Sequence, residues 1–407
     1  MISKVLRIVY VVILASLVGC ASLAPLLSKP TPVSVFLATS TPQLAPVVTQ
    51  TVLPVTDLHL LRVWLPPRFD PNADTASAKL LKQRLADFGS THPRIKLEVR
   101  IKTETGDNSL LNSLSITSVA APSALPDLVV LSRSDLEAAA LKGLLHPVDG
   151  LSATLHDPSW YPYARELGHI QNIGYGLPFA GTVLVMLHRP ELKVNTWDEI
   201  FASKEPFLFS AGDPQAMVIM SLYVSAGGKL INEQGLPTLE EVPLTQTLTL
   251  IKNGLATKTF SPTLLNFQSD EQSLQAYHNS VGGMVVTWMP GDETIYPVAS
   301  LSTPTTFANG WMWALSGSAP ENQQLAVNLA EFLLEDSFLA EWISGMNYLP
   351  TRIYQGTQTN TMLESAHALP ANEVLTVLGP ILNQALSRVL NGEQVEVVVR
   401  SVMDQVK

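Results

Sequence analysis

From Leu58 onward the chain switches between two hydrophobic periods. His59 to Trp64 reads as a strand. Leu80, Leu81, Leu85 and Phe88 then share one helical stripe behind Asp74 or Thr75 as cap, with Gly89 and Pro93 as stops. Arg94 to Ile101 moves to period two: Ile95, Leu97, Val99 and Ile101 lie on one face, Arg94, Lys96, Glu98 and Arg100 on the other. A weaker helix is predicted around Ser109 to Val119. Leu128 to Leu131 is apolar without alternation, as a strand buried on both faces is. Ser134-Asp135-Leu136-Glu137 has capping-box spacing, and Gly143 is placed to stop that helix. This alternation predicts an α/β fold with a doubly wound, mostly parallel sheet.

The stretch Asn172 to Ile200 stands out. A Gly-Tyr-Gly-Leu-Pro turn (Gly174 to Pro178) leads into the apolar run Val183 to Leu187, and Thr196-Trp197-Asp198-Glu199 opens a helix. We read it as the first crossing from one lobe to another. Beyond it, Pro206 to Ser210 suggests a strand, and Asp213-Pro214 a helix start running to about Ala226. Helices are predicted over Leu239 to Ala256 and Ser269 to Asn279, and strands over Gly282 to Trp288 and Gly310 to Ser316. Further helices are predicted over Ser318 to Leu334, Asp336 to Ser344, Asn372 to Leu390 and Gln394 to Val406.

The 407 residues allow two domains, and 46% hydrophobic against 15% charged content excludes a globally disordered chain. A net charge of −10 without a basic stripe excludes a nucleic-acid partner. The N-terminus has the order of an export signal: Lys4 and Arg7, an apolar run from Ile8 to Gly19, then Leu17-Val18-Gly19-Cys20, which resembles the bacterial lipobox. Cys20, the only cysteine, is the expected lipidation site, so the chain is expected outside the cell, anchored to the membrane's outer face. The segment 20–57, rich in Pro and Thr, reads as a tether.

No metal, cofactor or catalytic motif emerges. The eight histidines are scattered, and a lone cysteine precludes a cysteine-based metal site. Gly174-Tyr175-Gly176 has Phe179 where a dinucleotide fingerprint needs glycine, and Gly227-Gly228-Lys229-Leu230 lacks the residues of a phosphate loop. The pairs Glu240/Glu241, Asp270/Glu271, Asp292/Glu293 and Glu335/Asp336 read as solvated charges at helix starts or turns. What remains is aromatic side chains at strand ends: Trp64, Tyr175, Phe179, Trp288, Trp311 and Trp313. Ligands of open α/β sheets lie beyond the carboxyl ends of strands, and flat aromatic faces suit the apolar face of a sugar ring.

In their order and spacing several segments resemble the extracellular solute-binding proteins of ABC importers, family 1, the maltose-binding-protein-like group. These are Leu60 to Trp64, Ala86 to Val99, Pro126-Asp127-Leu128-Val129, Leu141 to Asp149, Tyr175-Gly176-Leu177-Pro178, Thr196 to Ile200, Gly283 to Trp288, Asn322 to Leu334, Tyr348-Leu349-Pro350 and Leu390-Asn391-Gly392. Leu187-His188-Arg189 departs from the family's Tyr-Asn-Lys. The resemblance implies a two-lobe, type II periplasmic-binding-protein-like fold that closes by a hinge. Expected are a signal peptide at 1–19, one lobe from 58–177 with 307–346, and a second from 178–306 with 347–407. Mapped onto this chain, its ligand residues are Trp64, Pro66, Ser132, Phe179, Trp288, Asp292 and Trp311, with Arg133 beside Ser132.

The resulting expectation is a monomeric binding lipoprotein, without cofactor or metal. It hands a solute, a sugar or oligosaccharide, to the permease of an ABC importer and performs no covalent chemistry. Two alternatives stay open at this point: a structural or sensory lipoprotein with a filled cleft, and a carbohydrate-active enzyme with paired carboxylates.

Overall fold

The computed structural model describes residues 58–288, 294–317, 319–354 and 360–406. The expected signal peptide, Cys20, the tether, Ser318 and Asp292 lie outside the described residues.

The chain builds one eight-stranded sheet. Its first part holds β1 (His59–Leu65), α1 (Ala76–Thr91), β2 (Ile95–Ile101), α2 (Leu110–Ala120), β3 (Leu128–Ser132), α3 (Arg133–Leu141) and α4 (Pro162–Gly168). The long strand β4 (Gly176–His188) follows, then α5 (Trp197–Ser203), β5 (Phe207–Leu208), α6 (Met217–Ser225), α7 (Glu241–Thr257), α8 (Asp270–His278) and β6 (Met284–Trp288). A second long strand, β7 (Thr306–Leu315), leads to α9 (Pro320–Phe332) and α10 (Asp336–Ser344). The chain closes on β8 (Ala366–Ala368), α11 (Asn372–Leu390) and α12 (Val395–Gln405).

Strand order is β2-β1-β3-β7-β4-β6-β5, with β8 beside β7. β1 is parallel to both β2 and β3, while β7 is antiparallel to β3 and to β4. β6 is antiparallel to β4 and parallel to β5; β8 is parallel to β7. Near β3 the start of β4 therefore runs with the parallel majority and β7 is the reversed strand. Near β6 the roles exchange. Each half of the sheet is mostly parallel with one reversed strand, and β4 and β7 are shared by both halves.

Two hydrophobic cores follow this division. The first gathers β1 to β3, α9, α10 and the start of β4, with Trp64, Phe179, Trp313 and Trp342 buried in it. The second gathers α6, α7, β5, β6, α11 and α12. The change of core falls inside β4, where Val183 and Val185 still pack in the first and Leu184, Met186 and Leu187 in the second. The segment after 346, expected with the second lobe, packs first into the other core: Leu349, Leu363 and Ala366 are buried there, and the second core resumes at Leu369. Gly181, beside the crossing, is required by packing, because a methyl group at that position would run into the Tyr163 hydroxyl.

Local signals misplace two helix starts. α3 begins directly where β3 ends, so Ser132, not Ser134, is its cap, accepting from Asp135 N at 3.3 Å. Asp213 turns its carboxylate onto Gln215 N at 2.9 Å, Ala216 takes a left-handed φ of 51°, and α6 begins only at Met217, past Pro214. A short acidic side chain bonding to its own backbone competes with helix in this way. α1 passes through Gly89 and ends at Thr91. Thr196 and Glu199 do form the capping box of α5.

Candidate functional site

Strand register decides which aromatic residues share a face. Trp311 of β7 lies opposite Ser132 of β3 on one side and Ala180 of β4 on the other. Trp288 of β6 lies opposite Leu184 of β4. Directly paired residues point to the same face, and so do residues an even number apart along a strand. Ala180 and Leu184 are four apart, so Ser132, Trp311 and Trp288 sit on one face of the sheet. The two tryptophan rows are separated by about 13 Å, at roughly 3.3 Å per strand residue. Trp311 belongs to the first core, and Trp288 packs against the second.

These rows also mark the carboxyl ends of parallel strands. β1, β2 and β3 end at Leu65, Ile101 and Ser132, and β5 and β6 end at Leu208 and Trp288. Both carboxyl edges abut the crossing of β4, where an open α/β sheet places its ligand.

Beside Trp288 is a recess lined among others by Ser210, Asp213, Gln215, Gln268, Asp270 and Trp288. It lies at the starts of α6 and α8. The Asp270 carboxylate accepts from Thr287 Oγ at 3.1 Å and from Trp288 N at 3.3 Å, which fixes the strand end carrying the indole. Burial raises the pKa of Asp270, and the neighbouring charge of Glu271 raises it further. Burial likewise raises Asp213. Polar acceptors and amides beside a half-buried indole are what a polyhydroxylated ligand needs.

The other edge is built by the turn after β1. Arg68 donates to both Glu104 carboxylate oxygens at 2.7 and 2.6 Å and to the Tyr348 hydroxyl at 2.9 Å. The same hydroxyl accepts the Trp311 indole N–H at 3.1 Å. Burial raises the pKa of Asp135, in the first turn of α3; the Ser132 hydroxyl opposes that shift and the charge of Glu104 adds to it.

Among the residues named from sequence, Ser132, Trp288 and Trp311 are thus brought together on one face. Trp64 is not. It pairs with Val129, one position out of phase with Val130 and Ser132, so it points to the opposite face and is 2% exposed. Pro66 is buried behind the turn. Phe179, expected to face the cleft, falls in the bulge between Pro178 and Ala180 and turns into the first core. There it stacks on Trp313 at 5.0 Å and on Trp342 at 5.2 Å. Trp313 is on the Trp311 face but buried in that cluster. Arg133 is buried against Glu137 at 3.4 Å. Tyr175 is partly buried against the first core.

Arg68, Glu104, Asp213 and Asp270 escape the sequence reading. Asp270 looked like a solvated helix-start charge. It does begin a helix, but that helix starts at a strand's carboxyl edge, and this was the usable signal. For Arg68 the signal was Pro66-Pro67 immediately after the first strand.

A model of the bacterial extracellular solute-binding protein family matches residues 83–353. The chain belongs to this family. No curated protein matches it in sequence. Several solved structures share the fold of this solute-binding protein. The cyclic alpha-maltosyl-1,6-maltose binding protein from Arthrobacter globiformis superposes with a TM-score of 0.69 at 16% identity, covering 85% of this chain and 97% of that one. The sugar-binding protein MalE from Xanthomonas citri gives 0.68 at 16%, covering 85% and 96%. An ABC substrate-binding protein from Listeria monocytogenes, in complex with cycloalternan, gives 0.61 at 16%, covering 86% and 98%. The fold is therefore the two-lobe α/β architecture of these binding proteins.

The solute-binding protein holds its unusual Leu187-His188-Arg189 segment away from this site. His188 pairs with Met284, at the opposite end of β6 from Trp288, and stacks on Tyr296 at 3.8 Å. Arg189 covers the Tyr277 ring at 4.2 Å. No cluster of metal-ligating side chains occurs among the described residues, and no described helix is long and apolar enough to cross a membrane.

Proposed function

We propose that this protein captures a sugar or oligosaccharide between two lobes and delivers it to the permease of an ABC importer. The observation that carries the reading is the placement of Trp311 and Trp288 on one sheet face, the first in one core and the second packed against the other. A ligand touching both would hold the lobes together through its greater affinity for the closed arrangement. The site residues on this reading are Ser132 and Trp311 from one lobe, and Trp288 with Asp213 and Asp270 from the other. The neighbours with this fold are named as sugar-binding or stand in complex with a sugar, which supports the same ligand class here.

The lobes on this reading are 58–177 with 307–346, to which the packing of Leu349, Leu363 and Ala366 adds the segment up to 366, and 178–306 with the C-terminal helices. The protein works as a monomer, without covalent chemistry. Its Cys20 lipid anchor and 20–57 tether hold it at the outer face of the membrane. Cys20→Ser should release it into the soluble fraction, and retention with membranes contradicts the anchor.

A thermal-shift screen across linear and cyclic oligosaccharides, monosaccharides, polyols and peptides tests the ligand class. A ligand that binds only the native state raises the melting temperature. Stabilisation by sugars is expected; stabilisation by peptides alone overturns the reading.

A further inference from the structure

Trp311 lies in the ligand-facing row yet is only 9% exposed. The Arg68 guanidinium sits over the indole, 4.8 Å from the ring centroid. Three segments hold it there: Arg68 comes from the turn after β1, Glu104 from the segment after β2, and Tyr348 from the turn after α10. Tyr348 also takes the indole N–H, so its hydroxyl ties cover and platform together.

The cover stands at the solvent edge. The Arg68 side chain is 45% exposed and that of Glu104 31%. A cation–π contact and an ion pair at such sites are each small, because water competes for both partners. The ring beneath meets Phe69 edge to face, with centroids 5.5 Å apart. A planar, weakly hydrated guanidinium and the apolar face of a sugar ring both favour that surface.

We propose that Arg68 is a built-in competitor for the ligand's place on Trp311, held ready by Glu104 and Tyr348. This rests on the sugar-binding reading above. Binding at that end of the site then exchanges Arg68 for a sugar ring. Arg68 and Glu104 thereby set a threshold that weakly stacking solutes do not pass. Arg68 acts on affinity by occupying the platform rather than by contacting the ligand.

The test uses the full chain and two readouts. Acrylamide quenching, with the Trp311 contribution taken by difference from Trp311→Phe, should show Trp311 more accessible in Arg68→Ala without any sugar. Arg68→Lys keeps the charge but loses the fork, and should give an intermediate value. Calorimetry with a panel of neutral oligosaccharides, maltotriose included, should show Arg68→Ala binding its ligands about 3- to 10-fold more tightly, the range set by losing one exposed contact. Unchanged quenching in Arg68→Ala shows that Arg68 is not the cover and overturns the proposal. Increased quenching with weaker sugar binding makes Arg68 a ligand contact and also overturns it. Increased quenching with no sugar bound by either protein overturns the sugar reading, and the competitor role with it.

Discussion

Glu137 of α3 accepts the backbone N–H of Asn372, the first residue of α11, on both carboxylate oxygens at 3.1 Å. α3 packs in the first core and α11 in the second, so this contact joins the two halves close to where the chain last passes between them. The Asn372 side chain returns a bond to Ser134 O at 2.9 Å. Glu137 is 5% exposed and faces Arg133, itself buried.

Removing the Glu137 charge leaves buried Arg133 with only the weaker influence of Glu166, which outweighs the modest value of the hydrogen bonds themselves. Glu137→Gln should lose about 2–3 kcal/mol of stability in urea unfolding. The double change Arg133→Met, Glu137→Gln should recover part of that loss. An unchanged midpoint for Glu137→Gln contradicts the contact's role.

Phe179 separates packing from binding. Its ring is fully buried between Trp313 and Trp342, with Phe69 edge-on at 5.1 Å. Phe179→Ala should cost about 3–5 kcal/mol as a core truncation. Any protein that stays folded should keep its ligand affinity within about twofold. Loss of affinity with stability intact would return Phe179 to the site.

Thr287 supports the site from behind. It is fully buried, and its hydroxyl holds the carboxylate that also anchors Trp288 N. Thr287→Val should weaken sugar binding about 3- to 10-fold, equivalent to one lost hydrogen bond, while changing stability by less than about 1 kcal/mol. Calorimetry and urea unfolding of the same preparation check both halves. Equal affinities would mean that Asp270 does not position the indole.

The pH dependence of stability follows from opposed groups. Asp135, Asp213 and Asp270 have pKa values raised mainly by burial, so the folded state binds protons there more readily than the unfolded chain. Their penalty is present at neutral pH and fades as pH falls through their folded values, above the ordinary 3.8. Asp157, Glu199 and Glu393 are lowered, chiefly by the backbone N–H of Ser159, the backbone N–H of Asn195 and the Arg388 side chain respectively. Their contribution is lost as pH falls through those lower values. Stability should therefore peak in the mildly acidic range rather than at neutrality. Urea midpoints measured from pH 3 to 8 check this, and a monotonic fall from pH 8 downward contradicts it.

The architecture was legible because strand and helix periods are local. The apolar run Leu128 to Leu131 and the stripe of Leu81, Leu85 and Phe88 appear as buried elements, and α10 and α11 begin and end where the pattern places them. The site was legible only in part, because which face a strand-end side chain takes depends on register. Trp64 and Trp311 look equivalent in sequence. Pairing with Val129 sends one into the opposite face, while pairing with Ser132 and Ala180 places the other at the site. Phe179 was unreadable for a related reason: its place at the cleft came from its strand-end position and the family resemblance, and neither reveals the bulge between Pro178 and Ala180 where it turns into the core. Arg68 and Glu104 meet only through parallel pairing of β1 with β2, 36 residues apart in sequence.

The central claim is that a sugar bridges Trp288 and Trp311. Isothermal titration of the wild-type protein and of Trp288→Ala with the oligosaccharide that shifts melting most is the most direct measurement. The account predicts saturable binding by the wild type and at least about tenfold weaker binding by Trp288→Ala, or roughly 1.4 kcal/mol. Equal affinity in the two proteins, or no sugar binding by the wild type, contradicts it.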